Sequence, residues 1–302
     1  MKKVLFIGGP TGSGKSALGI ALAKRYDGMI VGADSMQIYK GMNIGTGKVT
    51  EAEKEGILHT MLSIVDPNEE YSVQKYCLDA TRYIQDAWAH NQLPIVTGGT
   101  GLYINALLHP QNFAEAAPNA AVRQKYEAIY REEGAERLHA LLKEVDATAA
   151  SKIAVQDVKR TIRALEIFET TGQSKSENAK QTNADFSYLF LIPEIKRETL
   201  YAAINERVDR MMRDGFVEEV KSLRPYWNAR CMEAIGYREI IAALQNGEDP
   251  HASTVREKIK QNTRRYAKRQ ITFFKWIQAE KQYIQPPFFE KAVALADAWL
   301  NP

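Results

Sequence analysis

The sequence has 302 residues, of which 45% are hydrophobic and 25% charged, and its formal net charge is +3. These values are ordinary for a globular protein, and the length suits one large domain or a core with an inserted domain. No apolar run is long enough to span a bilayer, which argues against a membrane protein. The apolar run Val4 to Ile7 is too short for a signal peptide, so the expected location is the cytoplasm.

The two cysteines, Cys77 and Cys231, are far apart and neither belongs to a CxxC pair. They are therefore expected to be ordinary reduced thiols. Two cysteines without clustered histidines also exclude a zinc finger.

The first hundred residues alternate short apolar runs with amphipathic segments. The predicted elements are strands at 3–8, 29–31 and 93–97 and helices at 15–25, 72–91 and from Leu102 onward. Strand, turn and helix repeated in this order predict an α/β fold with a parallel sheet.

The pattern changes after His109. Residues 118–180 have helical periodicity without a buried-strand candidate, and they end in a polar stretch, Gly172 to Ala184. A strand follows at 186–192, and then helices at 197–213, 215–224, 232–245 and 251–280. We therefore predict a core of residues 1–112 and 186–302 with a helical insertion domain of residues 113–185.

The segment GPTGSGKS, residues 9–16, fits the phosphate-loop pattern GxxxxGK[ST] in full, with a predicted strand before it and a helix after it. Its glycines let successive backbone N–H groups point at phosphate oxygens, and the helix adds the positive end of its dipole. Lys15 supplies a cation, and Ser16 a hydroxyl ligand for Mg²⁺. The core is thus predicted to be P-loop NTPase-like. The predicted diphosphate-binding residues are Gly9, Pro10, Thr11, Gly12, Ser13, Gly14, Lys15 and Ser16.

Two further loops follow predicted strands, and the ligand crevice of such a sheet lies at the strands' carboxyl ends. Asp34 could hold Mg²⁺ through water, act as a general base, or simply form a turn. The turn 45–48, Gly-Thr-Gly-Lys, is weak evidence by itself. Residues 98–101, Gly-Gly-Thr-Gly, bring the Thr100 hydroxyl to the crevice. The strand before them lacks the terminal aspartate of a motor ATPase, which leaves Asp34 as the better acid.

The stretch from Arg256 to Lys275 contains eight Lys or Arg residues and one acid, Glu257. Such a stretch suits a polyanion such as nucleic acid. A solvated helix face has the same pattern, so charge alone does not decide between the two.

Together these motifs resemble the bacterial tRNA dimethylallyltransferases, also called tRNA isopentenyltransferases. The resembling segments, in the family's order, are GPTGSGKS (9–16), DSMQIYKGMNIGTGK (34–48), VTGGTGLY (96–103), RTIRALEIFETTG (160–172), AIGYRE (234–239) and TRRYAKRQITFFKW (263–276). The resemblance implies transfer of a dimethylallyl group from dimethylallyl diphosphate to the 6-amino group of the adenosine 3′-adjacent to the anticodon. The phosphate loop would then hold the diphosphate leaving group rather than ATP, with Mg²⁺ as cofactor.

The same resemblance implies roles for single residues. Asp34 matches the family's general base, Thr100 a residue near the diphosphate and target base, and Lys15 and Arg238 cations at the phosphates. The insertion is implied to clasp the anticodon stem-loop, although its basic residues could instead pair with an acid such as Glu166. The implied tRNA-binding residues are Asp34, Ser35, Met36, Gln37, Thr100, Arg123, Lys159, Arg160, Thr161, Ile162, Arg163, Lys268 and Arg269. Lys268, Arg269 and Gln270 are expected to contact either the tRNA backbone or the nearby core.

The sequence departs from the family at three places, one of which is the start of the insertion, His109 to Pro118. His59-Thr60 stands where the family often has two histidines, and residues 154–157, Ala-Val-Gln-Asp, stand where it often has His-Pro-Asn-Asp. These departures concern substrate contacts rather than the chemistry.

Three other functions fit parts of the pattern. They are a small-molecule P-loop kinase, prenyl transfer to free AMP, ADP or ATP, and a non-catalytic RNA-binding module. A kinase does not need the basic C-terminal region, and a binding module gives Asp34 and Thr100 no task. The expected protein is a monomer whose partners are tRNA and dimethylallyl diphosphate.

Overall fold

The computed structural model describes residues 2–110, 119–172 and 185–301. The chain divides into two compact units, one formed by Met1–Leu108 with Asp185–Pro302 and the other by His109–Ala184. Both boundaries of the second unit lie slightly before the predicted 113 and 185. Most of the predicted polar stretch from Gly172 lies outside the described residues.

The first unit contains a six-stranded sheet. Its strands are β1 (Lys3–Gly8), β2 (Gly28–Gly32), β3 (His59–Thr60), β4 (Leu93–Gly98), β5 (Ser187–Pro193) and β6 (Gln282–Ile284). The order is β3-β2-β4-β1-β5-β6, and every pair is parallel, which confirms the predicted fold class. Because β1 lies between two strands and under helices on both faces, all its residues after Lys3 are buried.

Twelve α-helices are assigned within the described residues. They are α1 (Lys15–Arg25), α2 (Glu51–Lys54), α3 (Val73–Ala89), α4 (Gly101–Leu108), α5 (Ala120–Val145), α6 (Ala147–Lys152), α7 (Val158–Thr171), α8 (Arg197–Arg213), α9 (Phe216–Ser222), α10 (Tyr237–Gln245), α11 (Ser253–Trp276) and α12 (Phe288–Leu300). Short 3-10 helices cover Arg224–Tyr226 and Arg230–Glu233. None of the helices in this part of the chain is long and apolar enough to cross a membrane.

Helices cover both faces of the sheet. On one face Phe6 packs in a cluster with Tyr76 of α3 and Ile104 of α4. On the other face Ile7 packs with residues of α1 and with Ala292 of α12. Neighbouring strand residues point to opposite faces, so the apolar run of β1 serves both clusters.

The C-terminal elements differ from the prediction. The helix predicted at 251–280 ends at Trp276, and β6 and α12 follow it without having been predicted. The strand β6 has only three residues and extends the sheet next to β5. Such a short strand depends on its neighbour, which no local pattern reveals.

A third cluster joins the segment after β2 to the C-terminal helices. Ile38 and Met42 pack there with Phe216 of α9, Tyr237 of α10 and Ile259 of α11. This packing fixes the course of residues 36–48 beside the carboxyl end of the sheet.

The second unit has its own core. Helix α5 is kinked at Gly134, whose φ of 85° lies in the left-handed region. Tyr126 and Leu138 of α5 pack against Ile162 and Leu165 of α7. The regular secondary structure described between 119 and 172 consists of helices, as predicted.

Both cysteines are free thiols, as predicted. The Cys231 thiol is buried and donates to the Pro67 carbonyl at 3.2 Å. Burial raises the pKa of Cys231 to about 11, which makes this thiol unreactive at neutral pH.

Candidate functional site

Three loops meet at the carboxyl end of the sheet. They follow β1, β2 and β4, which are neighbours in the order β2-β4-β1. The Ala33 amide donates to the Thr97 carbonyl at 2.8 Å, and the Thr100 amide donates to the Ala33 carbonyl at 3.0 Å. A Cβ atom on Gly98 would lie 2.0 Å from the Ala33 oxygen, so only glycine permits this close approach.

The phosphate loop has the geometry of an anion cradle. Gly12 and Gly14 have φ values of 80° and 78°, which favour glycine. Helix α1 starts directly after Gly14 with no side-chain cap, so its first N–H groups are available to an anion. The Lys15 ammonium folds back over the loop and donates to the Pro10 carbonyl at 3.1 Å.

Charged side chains around the loop lie within electrostatic range of one another. Burial lowers the pKa of Lys15 to about 8, while Asp34 raises it and Arg207 lowers it. Burial also lowers the pKa of Arg207, and Asp34 again opposes the shift. Two cations thus lie within electrostatic range of one carboxylate, which leaves an excess of positive charge for a diphosphate.

Arg207 was missed by the sequence analysis. Arg207 lies on α8, and this helix packs close to the phosphate loop. A Cβ atom added to Gly12 would lie 3.2 Å from the Ile204 side chain and 3.6 Å from that of Leu200. The Arg207 guanidinium donates to the Thr46 carbonyl at 3.0 Å. The apolar spacing of α8 indicates its buried side, but only the packing of α8 reveals what Arg207 faces.

Asp34 forms a turn, which is one of the roles considered for it. Its Oδ1 accepts hydrogen bonds from the amides of Met36 at 2.9 Å and Gln37 at 3.4 Å, which is a turn role. Hydrogen bonds from the described residues reach only this oxygen. The second carboxylate oxygen can therefore accept a proton or a water molecule.

The predicted acceptor-binding residues lie together. Thr100 Oγ1 accepts from the Ser35 amide at 2.9 Å and donates to Ser35 Oγ at 3.2 Å. The Gln37 side-chain amide donates to the carbonyls of Thr46 and Gly47, each at 3.2 Å. Met36 is partly buried and packs against the cluster around Ile38.

The basic helix α11 also enters the site. The buried side chain of Gln270 accepts from the Thr11 amide at 2.9 Å and donates to the Gly99 carbonyl at 2.8 Å, which ties the first loop to the third. Burial and Asp34 raise the pKa of the Tyr266 hydroxyl, one turn earlier, to about 12, while the neighbouring Arg269, Thr100 and Gln270 lower it.

The other face of α11 is exposed. Lys268 and Arg269 extend toward solvent, and the Arg269 guanidinium lies 5.7 Å from the centre of the Tyr266 ring. By contrast, Arg256 and Lys260 pair with Asp209 at 3.5 and 2.9 Å. The first basic residues of the stretch therefore form ion pairs within the protein, whereas Lys268 and Arg269 are exposed and accessible to a polyanion.

Arg238 forms an ion pair away from the phosphate loop. Its Nε donates to Glu239 Oε1 at 2.7 Å, and its side chain is 49% exposed. No hydrogen bond or ion pair among residues 2–110, 119–172 and 185–301 joins it to residues 9–16. Its contact with phosphates stays a prediction, while Arg207 supplies the second cation near Lys15.

Two of the insertion's arginines have an internal partner. Arg123 and Arg163 contact the Glu166 carboxylate at 2.9 and 2.7 Å, and the Glu166 side chain is 0% exposed. Burial disfavours the charged form of Glu166 and so raises its pKa. Hydrogen bonds from Arg163, the Asn119 amide and Arg123 outweigh this effect and lower the pKa below the usual range. The pairing with Glu166 that the sequence left open is therefore formed.

Other predicted tRNA-binding residues of the insertion differ in exposure. Lys159 is exposed, and Arg160 has a side chain 65% exposed with a distant Asp157 contact at 3.7 Å. Thr161 and Ile162 have buried side chains, and Thr161 Oγ1 donates to the Asp157 carbonyl. Among the predicted tRNA-binding residues of the insertion, Lys159 and Arg160 are therefore the two with exposed cationic groups.

Of the three departures from the family pattern, most of the one at 109–118 lies outside the described residues. The other two segments have structural roles, although Asp157 itself matches the family's His-Pro-Asn-Asp. His59 and Thr60 form β3, and Thr60 Oγ1 donates to the Ile30 carbonyl at 3.2 Å. Asp157 caps α7 by accepting from the Arg160 amide at 3.3 Å.

The site offers oxygen donors of the kind that Mg²⁺ prefers. Ser16 has an exposed hydroxyl at the end of the phosphate loop, and Asp34 has a carboxylate oxygen outside its turn. No group of three or more His, Cys, Asp or Glu side chains suited to a metal occurs among the described residues. The donor set therefore fits a Mg²⁺ ion held by few protein ligands, with phosphate and water completing its coordination.

Comparisons with known proteins decide the family. A family model described as IPP transferase matches residues 37–276, and one described as Isopentenyl transferase matches residues 2–68. This chain belongs to the IPP transferase family. The tRNA dimethylallyltransferase of Oceanobacillus iheyensis is 45% identical to this family member over 276 residues, which is 90% of this chain and 88% of the relative. That of Caldanaerobacter subterraneus is 44% identical over 281 residues, 90% of this chain and 89% of the relative.

Solved structures of the IPP transferase family agree. The tRNA isopentenylpyrophosphate transferase of Bacillus halodurans is 34% identical, with a TM-score of 0.72 over 99% of this chain and 96% of that one. A eukaryotic dimethylallyltransferase acting on tRNA is 29% identical, with a TM-score of 0.84 over 99% of this chain and 80% of that one. The resemblance inferred from the motifs is confirmed.

Proposed function

We propose that this protein transfers a dimethylallyl group from dimethylallyl diphosphate to the 6-amino group of the adenosine 3′-adjacent to the anticodon of tRNA. The observation that supports this most strongly is the meeting of a phosphate loop, Lys15 and Arg207 with Asp34 and Thr100 at one edge of the sheet. The identity of 45% to a tRNA dimethylallyltransferase over most of the chain supports the same reaction.

The leaving diphosphate would be bound by residues 9–16. As the C–O bond of the donor breaks, negative charge grows on the diphosphate, and the loop amides, Lys15 and Arg207 stabilise that charge. When Mg²⁺ is bound through Ser16 and, by way of water, Asp34, it supplies further neutralisation of the phosphate oxygens.

The acceptor amine needs a base, because its lone pair is delocalised into the adenine ring. The free oxygen of Asp34 accepts the amine proton as the C–N bond forms. Ser35, Met36, Gln37 and Thr100 surround the place where the extruded base must come, since a stacked base cannot reach the donor. The products are prenylated tRNA, diphosphate and a proton held by Asp34.

Labelled donor decides between the acceptors. The protein is incubated with radiolabelled dimethylallyl diphosphate, Mg²⁺ and either tRNA or AMP. We expect label in tRNA and none in AMP. We further propose that the enzyme acts as a monomer and in the cytoplasm. Label in AMP alone would instead assign the protein to free-nucleotide prenylation, and diphosphate release without either product would refute prenyl transfer.

The insertion supplies a test of tRNA binding. Each of Lys159→Gln and Arg160→Gln is expected to weaken tRNA binding and to reduce the slope of log K against log salt by about 1. Arg123→Gln should instead lower the free energy of unfolding by about 1–3 kcal/mol, because Glu166 loses a partner. Salt-dependent binding isotherms and thermal unfolding measure the two effects. Equal loss of tRNA affinity in all three variants would contradict this division.

A further inference from the structure

The loop of residues 43–48 accepts hydrogen bonds from two side chains of the site, Arg207 and Gln37. Its own backbone amides donate to one carboxylate, that of Glu219. Glu219 Oε2 accepts from the amides of Asn43 at 2.9 Å and Ile44 at 2.6 Å, and Oε1 accepts from the amide of Gly45 at 3.0 Å. Three successive N–H groups directed at one anion form a small anion-binding nest. Here the anion is a side chain of α9 and not a ligand.

The carboxylate is itself oriented. The Tyr237 hydroxyl donates to Glu219 Oε1 at 2.6 Å, and the Tyr237 ring is buried against Phe216 with ring centres 5.0 Å apart. A Cβ on Gly45 would lie 2.1 Å from the Phe216 ring, so the loop packs tightly on this aromatic pair. The Glu219 carboxylate and the two aromatic rings together restrict the backbone of residues 43–45 to one conformation.

The other side of the same loop faces the site. The Thr46 carbonyl accepts from both Arg207 at 3.0 Å and Gln37 at 3.2 Å, and the Gly47 carbonyl accepts from Gln37. Arg207 lies within electrostatic range of Lys15 and Asp34. Gln37 follows Asp34 in the acceptor-binding stretch. One short loop therefore fixes a cation for the donor and an amide for the acceptor.

We infer that Glu219 is a positioning residue for the transfer reaction, acting through the 43–48 loop on Arg207 and Gln37. This rests on the proposed function, because Arg207 is taken to face the diphosphate of the donor. Glu219 touches no substrate. Its task is to hold the Thr46 carbonyl where the guanidinium and the amide are both correctly directed.

The test is a double-mutant cycle on diphosphate binding, read by calorimetry with inorganic diphosphate and Mg²⁺. Glu219→Gln replaces an accepting oxygen by an NH₂ group and should weaken binding about tenfold, the scale of one charge-assisted hydrogen bond. Arg207→Met should weaken it at least as much. The double variant should bind no more weakly than Arg207→Met, because Glu219 acts through Arg207.

The matched control is Glu218→Gln, at the neighbouring acid whose side chain is 60% exposed, and it should bind diphosphate as the wild type does. Tyr237→Phe removes only the hydroxyl that orients Glu219, so it should weaken binding in the same direction if Glu219→Gln does not fold. Additive losses in the cycle, or wild-type affinity in Tyr237→Phe and Glu219→Gln, would overturn the inference. A wild-type protein that binds no diphosphate would instead overturn the proposed function.

Discussion

Asp34→Asn should lower the turnover number by about 10²–10⁴-fold, the range of a lost general base. The asparagine Oδ1 can still accept from the Met36 and Gln37 amides, so the turn that presents the acceptor site should persist. The affinity for tRNA should therefore change little. Single-turnover prenylation and tRNA binding by filter retention measure the two quantities separately.

Asp34→Ala provides the comparison, because it removes both the charge and the turn acceptor. It should lose turnover as Asp34→Asn does and should also bind tRNA more weakly. A turnover number near that of the wild type in Asp34→Asn would show that another group accepts the proton. Equal losses of tRNA affinity in both variants would show that the Asp34 charge serves binding.

Lys15→Met should lower kcat/KM for the prenyl donor by about 10²–10³-fold, as loss of a charge-stabilising donor does in other enzymes. The same residue should make diphosphate binding depend on pH. In the free protein the pKa of Lys15 is about 8, and a bound diphosphate raises it by favouring the ammonium. The ratio of the diphosphate affinity of the wild type to that of Lys15→Met should thus be constant below pH 8. Above pH 8 this ratio should fall, by at most about tenfold per pH unit.

This ratio cancels the titration of diphosphate itself, because both proteins bind the same ligand. Asp34→Asn gives a second check, since Asp34 raises the pKa of Lys15. In that variant the fall should begin at lower pH. A ratio that stays flat from pH 7 to pH 10 would mean that the Lys15 ammonium does not bind the phosphates.

The phosphate loop shows how far local sequence reaches. Gly12 and Gly14 occupy positive φ values and Lys15 opens a helix, as the motif GxxxxGK[ST] requires. Asp34 and Thr100 could be placed near it because strands of a parallel sheet end at a common edge. The motif order along the chain also indicated the family before any contact was known.

Arg207, Gln270 and Glu219 show where local sequence fails. Arg207 is one of several basic residues on α8, and Gln270 is a neutral residue within a cationic helix. Glu219 has an acidic neighbour, Glu218, that points to solvent. Nothing in the immediate sequence distinguishes Arg207 or Glu219, and for Gln270 the sequence left open whether it contacts tRNA or the core. These roles depend on loops about 160 to 260 positions earlier in the chain.

The sequence by itself determined the α/β core, the phosphate loop and the placing of Asp34 and Thr100, because these depend on short-range backbone rules and on apolar periodicity. Tertiary structure decided which cation joins Lys15, how α11 ties two loops together through Gln270, and which insertion arginines are neutralised by Glu166. Each of these depends on helix packing over long sequence separations, and packing brings together residues that no local pattern relates.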